Sequence, residues 1–311
     1  MRFRMLRHGR LLASIAAAGL LLAGCGSGPN QVGAAAIVGD TRIPVTEVQT
    51  WFDEALAKEP DLKPQLREQG QLDDLGRQLA AQLVRQELVE QAARDERLAV
   101  TDQQVTDLIN RMGGPQQATA GKIYTQQNLR EVMRTQLLAT ELGRKYFDRL
   151  AITFDYTQAT TRREAQEKAQ RMLQGPAEAA AVVNTDARTG LPAALGQHLR
   201  ATDSPRLAAA TPLFGAQPGT VLAFEPEPNS GQWLIARIND RRTDAPPASP
   251  AGGADEQTLQ GVGMFLLGIT ADRVGVRLSP RYGVWDQVSL TAVPNDSETT
   301  GFRLTGRPTA S

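Results

Sequence analysis

Between Asp73 and Leu98 the chain reads DDLGRQLAAQLVRQELVEQAARDERL, and Leu75, Leu79, Leu83, Leu88 and Ala92 recur at spacings of four or five. That period returns each side chain to one stripe of an α-helix. An apolar stripe this long is stable only when covered, so the segment must lie against other helices. Residues 125 to 150 supply one, with Leu129, Met133, Leu137, Leu142, Tyr146 and Leu150 at the same spacing. VTDQQVTDLINRM predicts a shorter helix between them, in which the Thr101 hydroxyl caps the first turn by accepting an unpaired amide. The polar segment GGPQQATAGK reads as the loop that follows. Upstream, AAAIVGDTRIPVTEVQTWFDEAL predicts a strand over residues 34 to 38, a turn at Gly39 and Asp40, an extended piece to Ile43 and a helix from Val45.

Aromatic residues make up only 5% of the chain, so the core must rest on Leu, Val and Ala. After residue 150 the texture changes. AITFDYTQATT is strand-like, RREAQEKAQRMLQG predicts a helix stopped at Gly175, and a polar, Ala-rich stretch follows. ATPLFGAQPGTVLAFEPEPNSGQWLIARINDRR reads as a short helix, a Pro-Gly turn and two closing strands. TDAPPASPAGGADE is a linker by composition. EQTLQGVGMFLLGITADRVGVRL predicts another helix, whose apolar run from Val262 to Ile269 is too short to span a membrane. SPRYGVWDQVSLTAV is extended, and the final NDSETTGFRLTGRPTAS reads as disordered.

The first residues, MRFRMLRHGR, are basic, and LLASIAAAGLLLAG is a 14-residue apolar run, too short for a spanning helix. Together they read as a secretory signal over residues 1–24. The run ends in LLAGC at Cys25, the one cysteine of the chain, and this resembles the bacterial lipobox. The resemblance implies cleavage before Cys25 and its acylation, with residues 25–33 as a tether. Two acyl chains give a stable membrane anchor where one is marginal. Removing the signal removes Arg2, Arg4, Arg7 and Arg10, leaving 30 basic against 34 acidic groups. A mildly acidic chain without a basic tract gives no electrostatic reason to bind nucleic acid.

AIVGDTRIPVTEVQTWF resembles the opening of the SurA and PrsA type of extracytoplasmic foldases, and LSPRYGVWD resembles an ending seen in actinobacterial lipoproteins of that group. The resemblance implies an α+β chain: a mainly helical chaperone domain built from residues 34–150 and 255–293, into which a parvulin-like domain of residues 151–243 is inserted. Residues 244–254 would be the linker and 294–311 a disordered tail. REAQEKAQRMLQG, LFGAQPGTVLAF and GQWLIARINDRR resemble the helix and closing strands of parvulin prolyl isomerases. Family members usually carry a histidine on the first strand and one on the last. Here Leu234 stands at the last-strand position with Trp233 before it, and the first strand offers Asp155 and Tyr156. The remnant of the family's glycine-rich turn is TGLPAALG.

The expectation is therefore a lipid-anchored chaperone that holds unfolded exported polypeptides, with no catalytic residue, metal or cofactor assigned. An active prolyl isomerase and a structural lipoprotein of the cell envelope remain as alternatives. Trp51, Phe52, Trp233, Tyr282 and Trp285 are the aromatic candidates for a peptide groove; their spacing fits core positions equally. His198, Asp203 and Ser204 have the residue types of a hydrolase triad but crowd together without a nucleophile elbow. The GVG of residues 261–263 lies within a helix pattern, which rules it out as a dinucleotide loop.

Overall fold

The computed structural model describes residues 32–227, 230–247 and 254–306. The signal segment, Cys25 and most of the tether lie outside the described residues. In chain order the elements are β1 (Ala34–Val38), β2 (Thr41–Pro44), α1 (Val45–Lys58), α2 (Leu62–Glu68), α3 (Leu72–Glu96), α4 (Asp102–Arg111), α5 (Pro115–Thr119) and α6 (Leu129–Tyr146). Then come β3 (Ala151–Ala159), α7 (Arg162–Leu173), α8 (Pro176–Arg188), β4 (Ala194–Arg200), α9 (Pro205–Ala210), β5 (Val221–Phe224) and β6 (Trp233–Arg242). The last are α10 (Glu256–Val274), β7 (Val276–Leu278), β8 (Val284–Asp286), β9 (Thr291–Val293) and β10 (Gly301–Leu304). The fold is α+β.

All five stripe residues of α3 are buried, as are Leu129, Met133 and Leu142 of α6 and Leu150 just beyond it; Leu137 and Tyr146 are half-buried. Thr101 caps α4 in a reciprocal box, its hydroxyl accepting from the Gln104 amide while the Gln104 side chain accepts from the Thr101 amide. β1 is buried along its whole length, in the middle of a three-stranded antiparallel sheet ordered β2-β1-β7. Its outer strand β7 arrives from the far end of the chain. The N-terminal helical part is thus completed by C-terminal residues.

α10 makes that completion. It is apolar on all sides because it is enclosed on more than one side. Gly263 lies against Ala139 and Gly143 of α6, so closely that a Cβ on either glycine would overlap a helix carbonyl oxygen of the other helix. Gly261 meets Ala209 of α9, and Gly268 meets Gly215 and Arg303. The GVG segment is therefore a seam of small residues that lets backbones touch.

Residues 151–242 contribute four strands to a five-stranded antiparallel sheet ordered β10-β5-β6-β3-β4. One face is covered by α7 and α8, where Ala165, Ala169, Met172, Val182 and Val183 pack with Val221, Ala223, Trp233 and Ile235. From the other face Phe154, Leu222, Phe224, Ala236 and Ile238 join the same core as α3, α6 and α10. The two parts share one continuous core.

Three expectations change. The Ala-rich stretch after Gly175 is the helix α8, with Gly175 at its N-cap and Pro176 in its first turn. Residues 194–200, which carry His198, form the edge strand β4. The tail expected to be disordered from residue 294 instead folds back, and its residues 301–304 pair with β5. A polar segment is ordered there because its backbone hydrogen bonds and one buried arginine find partners far away in sequence.

Candidate functional site

The N-terminal part carries a cleft of about 400 Å³ between the end of α1, α2, α3, the loop before α6 and the strand β9. Leu62, Leu66, Leu75, Ile123, Val293 and Pro294 give it apolar walls, and Glu59, Asp74, Arg77 and Lys122 stand among them. Its volume is in the range of ligand-sized clefts. One wall is lightly held: α2 has no fully buried residue, and Leu62 and Leu66 reach the core only from their half-buried positions. Asp74 and Arg77, one helical turn apart on α3, form an ion pair at the cleft.

The opposite wall is stapled by one lysine. The ammonium of Lys58, at the last turn of α1, donates to the carbonyls of Thr119, Lys122 and Tyr124 at 2.9, 2.5 and 3.3 Å. Glu54, one turn earlier, accepts from Thr125 Oγ1 and Asn128 Nδ2 at 3.2 and 3.3 Å. Changing Lys58 to methionine keeps the stem and removes the donors, which is expected to cost about 1–2 kcal/mol at this partly exposed position. The loop of residues 119–125 should then exchange its amides faster by hydrogen-exchange mass spectrometry, while α3 stays protected.

The aromatic candidates do not form one groove. Trp51 is 6% exposed and belongs to the main core, and Trp233 is 6% exposed in the separate core beneath α7 and α8. Trp233 there packs with Phe302, and the Arg162 guanidinium lies over both rings. Phe52 and Tyr282 do share a small recess of about 90 Å³ beside Gly76. Trp285 stands apart from them, half-buried between β7 and the segment that follows it.

In the LSPRYGVWD segment, Gly283 has φ 81°, and a Cβ there would overlap the Val293 carbonyl, so glycine is required. Asp286 is 1% exposed and accepts from the amides of Val288, Ser289 and Thr300 and from the Ser289 and Thr300 hydroxyls. It is a buried carboxylate that organises the whole C-terminal turn. Sequence reasoning noted the motif and missed this role, which only the return of residue 300 reveals.

On β3, Asp155 is 6% exposed and its Oδ1 accepts from the Gly196 amide at 2.8 Å, holding β4 across an irregularity in the pairing. Tyr156 is half-buried with its ring 6.0 Å from that of Phe154. Leu234 is half-buried against the main core, opposite Gln158 on β3. His198 is exposed on β4 opposite Thr153, and no hydrogen bond joins it to Asp203 or Ser204 among the described residues. A polar network missed by sequence reading lies beneath α7. The Thr157 hydroxyl donates to Asp186 at 2.5 Å, and Lys168 Nζ sits 2.9 Å from both Asp186 and Glu164 and donates to the Gln158 carbonyl at 2.8 Å. Burial pulls the Lys168 pKa down, but its hydrogen bonds to Glu164 and Asp186 outweigh this and raise it. Hydrogen bonding to Lys168 lowers Glu164. Such a network ties α7 and α8 to the sheet without presenting a group poised for proton transfer.

Arg241 of the closing Asp-Arg-Arg run also has a structural place. Its Nε donates to the Phe214 carbonyl at 2.8 Å, and burial pulls its pKa down to about 10 against the opposing pull of Tyr146 and Glu96. Among the described residues no group of three or more His, Cys, Asp or Glu gathers as a metal site, and no helix is long and apolar enough to cross a membrane.

No curated protein matches the sequence. A crystal structure of foldase protein PrsA from Lactococcus lactis aligns at 14% identity over 79% of this chain and 94% of that one, with a TM-score of 0.26, too low to carry an inference. Residues 8–147 match the family model described as the SurA-like N-terminal domain. The chain therefore carries a SurA-like N-terminal domain, and that domain supplies most of the cleft.

Proposed function

We propose that the protein is an extracytoplasmic chaperone, tethered to the membrane by acylated Cys25, that holds unfolded exported polypeptides without isomerising their prolyl bonds. The observation that supports holding is the cleft in the SurA-like domain: apolar walls with charged groups among them, one wall formed by the loosely packed α2. Such a surface can cover an extended apolar stretch that would otherwise aggregate. Against isomerisation stand the residues of the parvulin-like frame. Prolyl rotation must cross about 18–20 kcal/mol. Where that family carries histidines, this chain has Leu234 in the last strand and an Asp155 already bonded to the Gly196 amide in the first. The sheet face bearing Leu222 and Ala236 is also filled by the main core.

The soluble chain begun after Cys25 should suppress aggregation of a chemically unfolded client at modest molar excess, and absence of suppression would count against the reading. In a prolyl-peptide assay it should show the uncatalysed rate. A rate above background that disappears on changing Asp155 or Tyr156 would establish the isomerase alternative instead. Cys25→Ser should release the full-length protein from membranes; continued retention would defeat the lipid anchor.

A further inference from the structure

β7 is the outer strand of the three-stranded sheet, paired on one side only. Its register sets Ile37 opposite Arg277, and the flanking bonds run from the Gly39 amide to the Gly275 carbonyl (3.0 Å) and from the Ser279 amide to the Ala35 carbonyl (2.8 Å). Residues of an antiparallel strand alternate in the side to which their backbone groups point. Gly275, Arg277 and Ser279 therefore face β1, and the amides and carbonyls of Val276 and Leu278 face away. Among the described residues none of these four groups has a hydrogen-bond partner. The sheet's other edge is closed off differently, since β2 ends in Pro44 and runs directly into α1. β7 is three residues long with Arg277 at its centre, and it has no lysine, no proline and no bulge in its pairing with β1.

The open edge also borders space. Two adjoining cavities, of about 450 and 340 Å³, share Val276, Arg277, Trp285 and Gln287 as walls. Trp285 lines both, and its indole N–H is shut off from solvent with no acceptor among the described residues. An unpaired donor of this kind costs stability wherever it is left.

We propose that the β7 edge binds an extended segment of unfolded polypeptide, apolar at alternate residues, by adding it to the sheet as a fourth strand. The proposal rests on the chaperone reading and specifies how a client is held. The occupant follows from the unpaired groups. Val276 and Leu278 present amide and carbonyl pairs at the two-residue repeat of a strand, a pattern matched by another extended backbone and not by a helix, whose groups are used internally. Strand addition draws affinity from main-chain bonds and leaves side chains to pockets, which suits a binder of many sequences. The cavities beside Trp285 would take the alternate apolar side chains.

The test uses the soluble chain with a synthetic peptide of alternating valine and threonine, about eight residues long. Residue-resolved hydrogen exchange should show the Val276 and Leu278 amides slowed by peptide, while the Arg277 amide, which already faces β1, is unchanged. Leu278→Pro removes one outward donor and leaves the β1 ladder intact, a change edge strands tolerate. It should weaken the peptide about tenfold with aggregation-prone client binding reduced in parallel. Trp285→Phe, which removes the indole donor and keeps a ring, gives a second reading should the proline variant fold poorly; weaker peptide binding with undiminished thermal stability is expected. Unchanged exchange at Val276 and Leu278 in the presence of bound peptide, or full-strength binding by both variants, overturns the proposal. If the unaltered protein still suppresses client aggregation in that case, the chaperone reading stands and only this edge is excluded; if it suppresses nothing, the chaperone reading itself falls. Protection of the two amides that grows with protein concentration in the absence of peptide would assign the edge to a second copy of the chain, and would equally overturn it.

Discussion

Replacing Gly263 with alanine is expected to lower stability by about 3 kcal/mol, at the upper end of what one added methyl costs in a packed interior. The size of the effect follows from what the methyl meets. A Cβ at Gly263 would overlap the Ala139 carbonyl, and the facing Gly143 has the same relation to Leu259. Both are backbone atoms inside helices, and they yield far less readily than the tip of a side chain. α10 must then move away from α6, and the displacement is transmitted on both sides, because Gly261 touches α9 and Gly268 touches Gly215. A denaturant titration would read the loss, and the melting temperature should fall by about 5 °C for a chain of this size. Exchange should rise first in α10 and in β7, which follows it after a single residue. Gln257→Ala, on the exposed first turn of the same helix, should stay within about 0.5 kcal/mol. Equal effects from the two changes would mean that α10 does not depend on the glycine seam.

The same seam shows how far the sequence could be read. Long helices were legible because Leu75, Leu79, Leu83 and Leu88, and Leu129 and Met133, carry a strong period that a single face must bury. Thr101 was legible as a cap because capping is local chemistry. α8 was not, because its inward face is built from Ala179, Val182 and Val183 among other alanines, and contrast between faces is weak when small residues stand on both. The glycines of α10 could be excluded from a dinucleotide loop, yet nothing in their spacing names Ala139, Ala209 or Gly215 as their partners. The site was legible in the same partial way. Aromatic residues were picked by type, and the fold sends Trp51 and Trp233 into two different cores while leaving Phe52 and Tyr282 together. The cleft itself comes from elements more than a hundred residues apart, so no local pattern announces Val293 and Pro294 opposite Leu62.

Removing residues 295–311 should be the most damaging change of all, although composition alone would suggest a harmless trimming of a polar tail. The segment returns β10 to the edge of the five-stranded sheet, where Gly301 through Leu304 pair with Phe224 through Val221. It brings the Thr300 donors to Asp286 and lays Phe302 against Trp233 under the Arg162 guanidinium. Above all it delivers Arg303, whose side chain is 1% exposed. Its Nε lies 2.8 and 2.9 Å from the two Asp272 oxygens, and Nη2 donates to Asp272 and to the Gly215 carbonyl, both at 2.6 Å. One residue thus joins β10, α10 and the turn before β5. Removing one partner of a buried pair leaves the other charge stranded, at a cost of about 3–5 kcal/mol. Arg303→Met alone should therefore cost several kcal/mol, and Asp272→Leu at least as much, because it strands the fully buried guanidinium, whereas the carboxylate left by Arg303→Met keeps some solvent contact. The double variant is the decisive comparison. If the pair acts as described, Arg303→Met with Asp272→Leu should recover part of the single-variant losses, giving a coupling of about 1–3 kcal/mol in a double-mutant cycle measured by urea unfolding. Additive losses would mean that Arg303 stabilises the tail through packing and its bond to Gly215, with Asp272 a bystander. In either case a chain cut at residue 294 should lose the sheet edge and, with it, the anchoring of α10 on which the N-terminal cleft depends.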